Sequence, residues 1–509
     1  MEALKTIRPE LLSLSQEQIQ VLMPYIAVFG GAILAILASV LRIVSPKWPV
    51  FLVSLATCLV GIFLSFGLID HESLTLFNGM MISDSYSNFF NIVFLGSALI
   101  TLLASFRYLD KELLQHPEYY VLVVFAALGM MLMASSLDLI VLFIALELMS
   151  LAIYILVGFR RADRRSNEAA MKYFILGSTA SAVLLYGTAL LYGTTGATGI
   201  KTIFDFAQSH PESMSPIFVL GAALVLFGFL FKVAAAPFHM WMPDVYEGAP
   251  VPITGFMTTG LKAAAFATFI RVFVGMGYGS GLSSLFHEHI HNVMWGSAVL
   301  TMVIGNFIAL SQTNLKRMLA YSSIAHTGYL MVGIVAGAKS EMGYAPAVLY
   351  VVVYGIMNLG AFVVLTLIAA RDEGGLNLHD LSGLSRRQPW LAFSLAVFLF
   401  SMAGIPPTGG FAAKYLLFYS AVQAGEIPLV IISVLCSAVS VYYYLRVLVY
   451  MYLRDPVGSP PVLRVSLGSG IAVIAMVILT LQIGILPAKI FNIAKKVSIG
   501  LQPVKIAAS

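Results

Sequence analysis

Charge is what this chain has least of. Charged side chains make up 10% of its 509 residues, against roughly 25% in an ordinary soluble domain. Cysteine is nearly absent too. Cys58 and Cys436, the only two, both sit in apolar runs. That excludes a disulfide framework, a cysteine-based zinc site and a cysteine-bound iron–sulfur cluster within the chain. No phosphate-binding loop or dinucleotide glycine fingerprint occurs. The basic residues form no stripe that could follow a phosphate backbone, so the +5 net charge does not point to nucleic acid. Any redox chemistry must reside on other chains.

What is present is apolar. Hydrophobic residues reach 59% and mean hydropathy is +0.91, and one apolar run follows another, as in a polytopic membrane protein. The first 20 residues mix Glu2, Lys5, Arg8, Glu10 and Glu17. The run that follows is too long for a signal-peptide core and reads as an uncleaved first span.

Windows of about 20 residues predict fourteen spans, near 21–41, 49–69, 87–106, 119–136, 139–159, 170–193, 215–236, 252–275, 292–310, 318–338, 345–370, 389–423, 427–453 and 466–487. Loops on one side then carry fifteen lysines and arginines, from Arg42 and Lys47 through Arg160, Lys316, Arg317 and Arg371 to Arg454 and Arg464. Loops on the other side carry Lys201 and Lys339. This bias places the first group in the cytoplasm and both termini outside, on the periplasmic face of a cell inner membrane. The tail, with Lys489, Lys495, Lys496 and Lys505, runs against the rule. It is expected to lie along a surface as an amphipathic segment, unless the last span is misplaced.

Two spans contain proline breaks: FKVAAAPFHMWMP (231–243) in the seventh and AGIPPTGGFAAKY (403–415) in the twelfth. A proline removes a backbone donor and clashes with the preceding turn. Such breaks survive at membrane depth only where the freed groups are buried in protein or face water. The breaks recur after five spans, as do Lys172–Gly177 and Val353–Asn358. A five-span period inverts the second copy, the plan of many transporters. The expected fold is therefore an all-α polytopic membrane protein with two inverted five-helix repeats and broken helices 7 and 12. Its parts are an N-terminal three-helix segment (1–118), a first repeat (119–290), a second (291–455), and a last helix with tail (456–509).

Lys232, Lys262, Lys414 and Glu147 lie inside these apolar helices, where a charge costs roughly 2.5–3.5 kcal/mol on insertion scales. Glu147 is about eight residues into its helix, roughly 12 Å deep at 1.5 Å per residue. Lys262 is near the midplane. Lys232 precedes Pro237 and Lys414 follows Pro407. His326 is as deep as Glu147, though a lone histidine is often a satisfied core residue. Arg271 and Arg446 read as snorkelling to the interface, and Lys172 fits either snorkelling or the buried set. A buried amine loses hydration and its proton affinity falls, while a nearby carboxylate restores it. Such groups with water between them form a proton relay, which arginine, unable to release its proton, could not join. His287, His289 and His291 read as a polar loop cap, His239 as lining a water path, and Tyr442-Tyr443-Tyr444 as packing or an interfacial belt.

The runs KVAAAPFHMWMPDVYEGAPVPITGF (232–256), ALELMSLAIYIL (145–156), TTGLKAAAF (258–266), NLKRMLAYSSIAHTGYLMVG (314–333) and AGIPPTGGFAAKYLLF (403–418) resemble the antiporter-like membrane subunits of proton-pumping NADH:quinone oxidoreductase, respiratory complex I. The resemblance is strongest to the subunit N branch. A longer branch carries a lateral helix, for which this chain has no room. The resemblance implies that Glu147 pairs with Lys232, that Lys262 is the central relay, that His326 bridges it to Lys414, and that Lys172 lies toward the uptake side. It also implies no catalytic or metal residues and no cofactor on this chain. NADH, flavin, iron–sulfur clusters and quinone would be handled by partner subunits, beside antiporter-like neighbours in the bilayer. Two other functions share these features. One is a subunit of a multi-part cation/proton antiporter. The other is a membrane scaffold braced by inert ion pairs.

Overall fold

The structure is a computed structural model that describes residues 14–40, 47–209, 215–276, 284–456, 465–499 and 501, with the side chains of 284–287 excepted. Arg42, Arg464, Lys505 and the His287 side chain lie outside the described residues.

Long apolar stretches fold into helices that satisfy their backbone groups internally, as a bilayer demands. The chain opens with α1 (Gln16–Val40) and α2 (Lys47–Gly67). A two-stranded hairpin follows, β1 (Leu74–Leu76) against β2 (Met81–Ser83), antiparallel with Leu74 opposite Ser83. Then come α3 (Ser85–Lys111), α4 (Glu118–Ser135), α5 (Leu139–Val157), α6 (Arg164–Thr195), the short α7 (Ile200–Ser209), α8 (Pro216–Lys232), α9 (Trp241–Gly248), α10 (Val251–Phe256) and α11 (Lys262–Gly275). The second part holds α12 (Ser284–Ser311), α13 (Leu315–Gly337), α14 (Ala345–Ile368), α15 (Leu384–Arg387), α16 (Pro389–Ala403), α17 (Gly409–Gln423), α18 (Ile427–Leu453), α19 (Leu467–Ile485) and α20 (Pro487–Ile499). Among the described residues, twelve helices are long and apolar enough to cross a membrane, and α8 and α16 are shorter apolar helices. The chain is therefore an all-α multi-pass membrane protein.

Burial sorts these helices. The 251–275 helix and α13 are 94% buried along their apolar windows, whereas α19 is 33% buried. The first two form the centre and α19 the rim. Close helix approach at the centre depends on small residues. A Cβ on Gly129 would come within 2.6 Å of the Met149 backbone nitrogen, so α4 and α5 touch through that glycine.

Ion pairs tie the loops of each end together. At the basic end Lys47 meets Asp110 at 2.8 Å, Arg386 meets Asp455 at 2.8 Å, and Arg317 meets Asp244 at 2.8 Å and Glu247 at 2.9 Å. Glu373 gathers the most partners. Its buried carboxylate accepts from Lys316 at 2.7 Å, the Val251 backbone N–H at 2.8 Å and the Tyr108 hydroxyl, with Arg160 at 3.4 Å. At the opposite end Arg271 does not snorkel. Its guanidinium donates twice to Asp84, at 2.8 and 3.0 Å, over the Tyr86 ring. Asp84 also caps α3, so the arginine finds its counter-charge inside the protein. Arg446 is likewise held within, donating to the carbonyls of Leu310 at 2.8 Å and Gln312 at 2.5 Å, where α12 ends. The basic tail forms a separate helix, α20, with Lys496 2.5 Å from Asp70 beside the hairpin.

Candidate functional site

The helix carrying Lys232 ends there, and the backbone does not resume as a helix until Trp241. Hydroxyls from neighbouring helices satisfy the polar groups freed in between. Thr327 donates to the Val233 carbonyl at 2.9 Å, Ser297 donates to the Ala236 carbonyl at 2.7 Å, and the Ala236 N–H donates to Thr301 at 2.7 Å. Without them the segment would leave costly unpaired groups at depth. At the second interruption α16 ends at Ala403, and Gly404 turns the chain at φ 85°. The Lys414 ammonium, returning on α17, donates to the Met402 carbonyl at 2.9 Å and the Ala403 carbonyl at 3.3 Å. A cation thus meets the negative pole of a half-helix.

The three lysines are almost wholly removed from the surface: Lys232 is 4% exposed, Lys262 2% and Lys414 5%, with His326 at 1%. Each ammonium donates to a serine. Lys232 reaches Ser150 at 3.0 Å, Lys262 reaches the Ser323 hydroxyl and carbonyl at 2.6 Å each, and Lys414 reaches Ser437 at 3.0 Å. Among the described residues no carboxylate forms an ion pair with any of them. Lys232 does not pair directly with Glu147. Ser150, one turn further along α5, takes the ammonium, and Glu147 remains within electrostatic reach.

Helix α13 links the three. Its Thr327 holds the carbonyl next to Lys232, its Ser323 holds Lys262, and its Tyr329 ring lies 5.1 Å from the Lys414 ammonium. His326 sits between the last two. Its Nδ1 pairs with the Tyr350 hydroxyl at 2.7 Å and its Nε2 with the Tyr444 hydroxyl at 3.2 Å. The Tyr354 ring is shared: it lies 5.1 Å from the Lys262 ammonium and 4.9 Å from the His326 ring. The tyrosine run therefore divides. Tyr444 and Tyr443 are buried and hydrogen-bonded, the latter to Asn306 at 3.1 Å, while Tyr442 is 62% exposed. A three-residue apolar-polar run has no period that separates an inward hydroxyl from an outward ring.

Lys172 stands apart from this row. It is partly exposed and paired with Glu168 at 2.7 Å and Asp244 at 2.9 Å, in a shallow 220 Å³ groove at the basic end. Of the other histidines, His291 pairs with Glu426 at 3.3 Å, joining α12 to the start of α18. His239 Nδ1 is buried with no hydrogen-bond partner, as are Glu147 Oε1 and the Tyr173 hydroxyl. Buried polar atoms left this way by the protein are the ones ordered water satisfies.

Sequence reasoning missed Ser150, Ser323, Ser437, Tyr350, Tyr354 and Tyr444, because hydroxyls recur along nearly every helix. It also missed the π-helical turn Met257–Leu261 that delivers Lys262. Such turns frequently occur at functional sites, and Gly260 within TTGLK was the available signal.

Comparison with known proteins places this geometry. Residues 136–440 match the family model described as NADH:quinone oxidoreductase/Mrp antiporter, TM. The chain is 44% identical over 420 residues to NADH-quinone oxidoreductase subunit N of Trichlorobacter lovleyi, covering 82% of this chain and 85% of the relative. It is 40% identical over 484 residues to subunit N 2 of Solibacter usitatus, covering 92% and 95%. A chain of respiratory complex I from Thermus thermophilus, solved with bound aureothin, superposes with TM-score 0.77 at 32% identity, covering 92% of this chain and 99% of that one. A chain of the Mrp complex from a Dietzia species gives TM-score 0.82 at 21% identity over 97% and 98%, a likeness of fold.

Proposed function

Because this chain belongs to the subunit N family of NADH:quinone oxidoreductase/Mrp antiporter-like membrane proteins, we propose that it moves protons through a row of buried groups, Glu147, Lys232, Lys262, His326 and Lys414. The observation that carries this reading is the bonding of the three amines. A lysine kept as a static brace would face a carboxylate, since an unpaired buried charge is strongly destabilising. Here each amine faces a serine hydroxyl, which a charged amine can donate to and which can donate to a neutral one, and Lys262 and Lys414 also face carbonyls. Either protonation state is accommodated, as a relay requires.

Fourteen spans fit the observed helices if α8 with α9, and α16 with α17, each form one interrupted span. The segments 1–118, 119–290, 291–455 and 456–509 are read as a three-helix start, two inverted repeats, and a last helix with its tail. Among the described residues, Lys496 of α20 lies beside Asp70, on the face opposite the basic loops, and with the loop-charge bias this supports reading the termini as periplasmic in a cell inner membrane. Glu147, beside the first break, sets the proton affinity of Lys232 through space. Lys172 and its carboxylates at the basic surface serve as a collecting site. Protons then pass from Lys232 by way of α13 to Lys262, across His326 and its tyrosines, to Lys414. Energy for outward movement, roughly 2.3 kcal/mol per charge per 100 mV, comes from electron transfer between NADH and quinone on partner subunits of the membrane and peripheral arms.

The test is NADH-driven proton uptake by the assembled complex in vesicles. Lys262→Ala is expected to lower uptake per NADH while assembly on native gels is unchanged. An assembled Lys262→Ala complex that pumps at the native rate per NADH overturns the proposal and leaves the scaffold reading standing.

A further inference from the structure

A groove of about 1050 Å³ lies away from the lysine row, where the ends of α2, α3, α14 and α19 meet at the basic end. Its polar lining is lopsided. Arg107, Lys111 and Arg371 share the lining with one carboxylate, Asp110, which is already paired with Lys47. Of the carboxylates just beyond it, Glu112 accepts the Asp372 N–H at 3.0 Å, and Glu373 is committed to Lys316, Arg160 and Tyr108. Arg107 and Arg371 have no acidic partner among the described residues. Arg107 and Lys111 are four residues apart on α3 and so share one helix face. Lys111 also donates to the Ala369 carbonyl, which fixes the α3–α14 wall.

The other walls are apolar and aromatic. Trp48 and Phe106 pack at 4.4 Å between ring centroids, and Phe51 joins Phe106 at 4.5 Å. Trp48 is 47% exposed, and Leu467, at the mouth, is 83% exposed. A half-exposed tryptophan beside lysine and arginine at a span terminus marks the headgroup level of a bilayer. The N-terminus of α19, capped by Ser466, adds the positive pole of a helix to the same wall.

We propose that this groove binds an anionic phospholipid, its phosphate between Arg107, Lys111 and Arg371 and its acyl chains along the Trp48–Phe106 wall. Basic pockets between spans are suited to anionic headgroups. The lining sets cations against aromatic and leucine side chains, which suits an amphipathic lipid at the membrane interface. A free phosphate would use only the cations. The inference depends on the chain lying in a membrane and not on the proton relay.

The experiment reconstitutes the intact complex in vesicles with photoactivatable phosphatidylglycerol or photoactivatable phosphatidylcholine, and maps the labelled peptides. Phosphatidylglycerol is expected to label the stretches around Trp48 and Leu467 roughly thirtyfold more than phosphatidylcholine, the scale of two interfacial cations. The exposed double substitution Arg107→Gln with Arg371→Gln is expected to erase that preference while leaving NADH oxidation intact. Equal labelling by the two lipids in the native complex overturns the proposal, whatever the variant does. So does a photo-crosslinker placed at Leu467 that captures a neighbouring subunit instead of lipid, because the groove would then be a protein interface.

Discussion

Lys232 spends its hydrogen bond on the Ser150 hydroxyl, and Lys262 and Lys414 each spend theirs on a serine hydroxyl and backbone carbonyls. In the proposed relay their charge depends on groups that do not touch them, and Glu147 is such a group for Lys232. Glu147→Ala is expected to slow turnover of the assembled complex more than Glu147→Asp, which keeps the charge one methylene short. Equal activity in the two variants would detach Glu147 from Lys232. These residues were legible because a charge inside an apolar run is rare and costly, so each one stands out. Arg271 shows the limit of that signal. Its depth looked shallow enough for snorkelling, and nothing in the sequence linked it to Asp84, 187 positions away. The serines and tyrosines around the lysines were invisible for the opposite reason: they are common, and only packing selects which of them turn inward.

Helices α16 and α17 meet at Gly410, whose Cβ position lies 1.8 Å from the Ser401 carbonyl oxygen. The same glycine donates its N–H to the Ser401 hydroxyl at 2.9 Å. Gly410→Ala must push the half-helices apart, and overpacking of this kind costs about 1–3 kcal/mol. The expectation is a lower unfolding temperature of the purified complex in detergent and weaker pumping. Gly296→Ala is the control, since its Cβ meets nothing within 4 Å and leaves both unchanged. A Gly410→Ala complex as stable as native would remove the tight contact from the account. The prolines near both interruptions could be read from sequence because their chemistry is local. The hydroxyls that satisfy the opened backbone come from α12 and α13, 60 or more positions away. The short amphipathic α7 and the hairpin were missed because windows tuned to 20 apolar residues pass over them.

At the scale of the whole molecule, Glu373 is the carboxylate of the basic end that gathers the most partners among the described residues. It joins the end of α3, the α5–α6 loop, the start of α10 and the start of α13. Glu373→Gln leaves the buried Lys316 without its counter-charge, a loss of the order of 3–5 kcal/mol for a buried pair, while Arg160 keeps Asp163 at 3.3 Å. Thermal unfolding should shift strongly down, with NADH oxidation following assembly; an unshifted transition would show that the cluster is dispensable. The order of the long helices was legible, since apolar length and loop charge both report on a bilayer. The packing of α13 at the centre was not, because its small polar residues are spread along a helix buried on all sides, which leaves no single face by which to orient it. The account as a whole turns on whether Lys262 gives up its proton or only carries charge. NADH-driven proton uptake by the assembled Lys262→Arg complex tests this most directly, since arginine keeps the positive charge but does not release it. The account predicts that uptake per NADH falls as far as in Lys262→Ala. Native uptake per NADH in Lys262→Arg would contradict it.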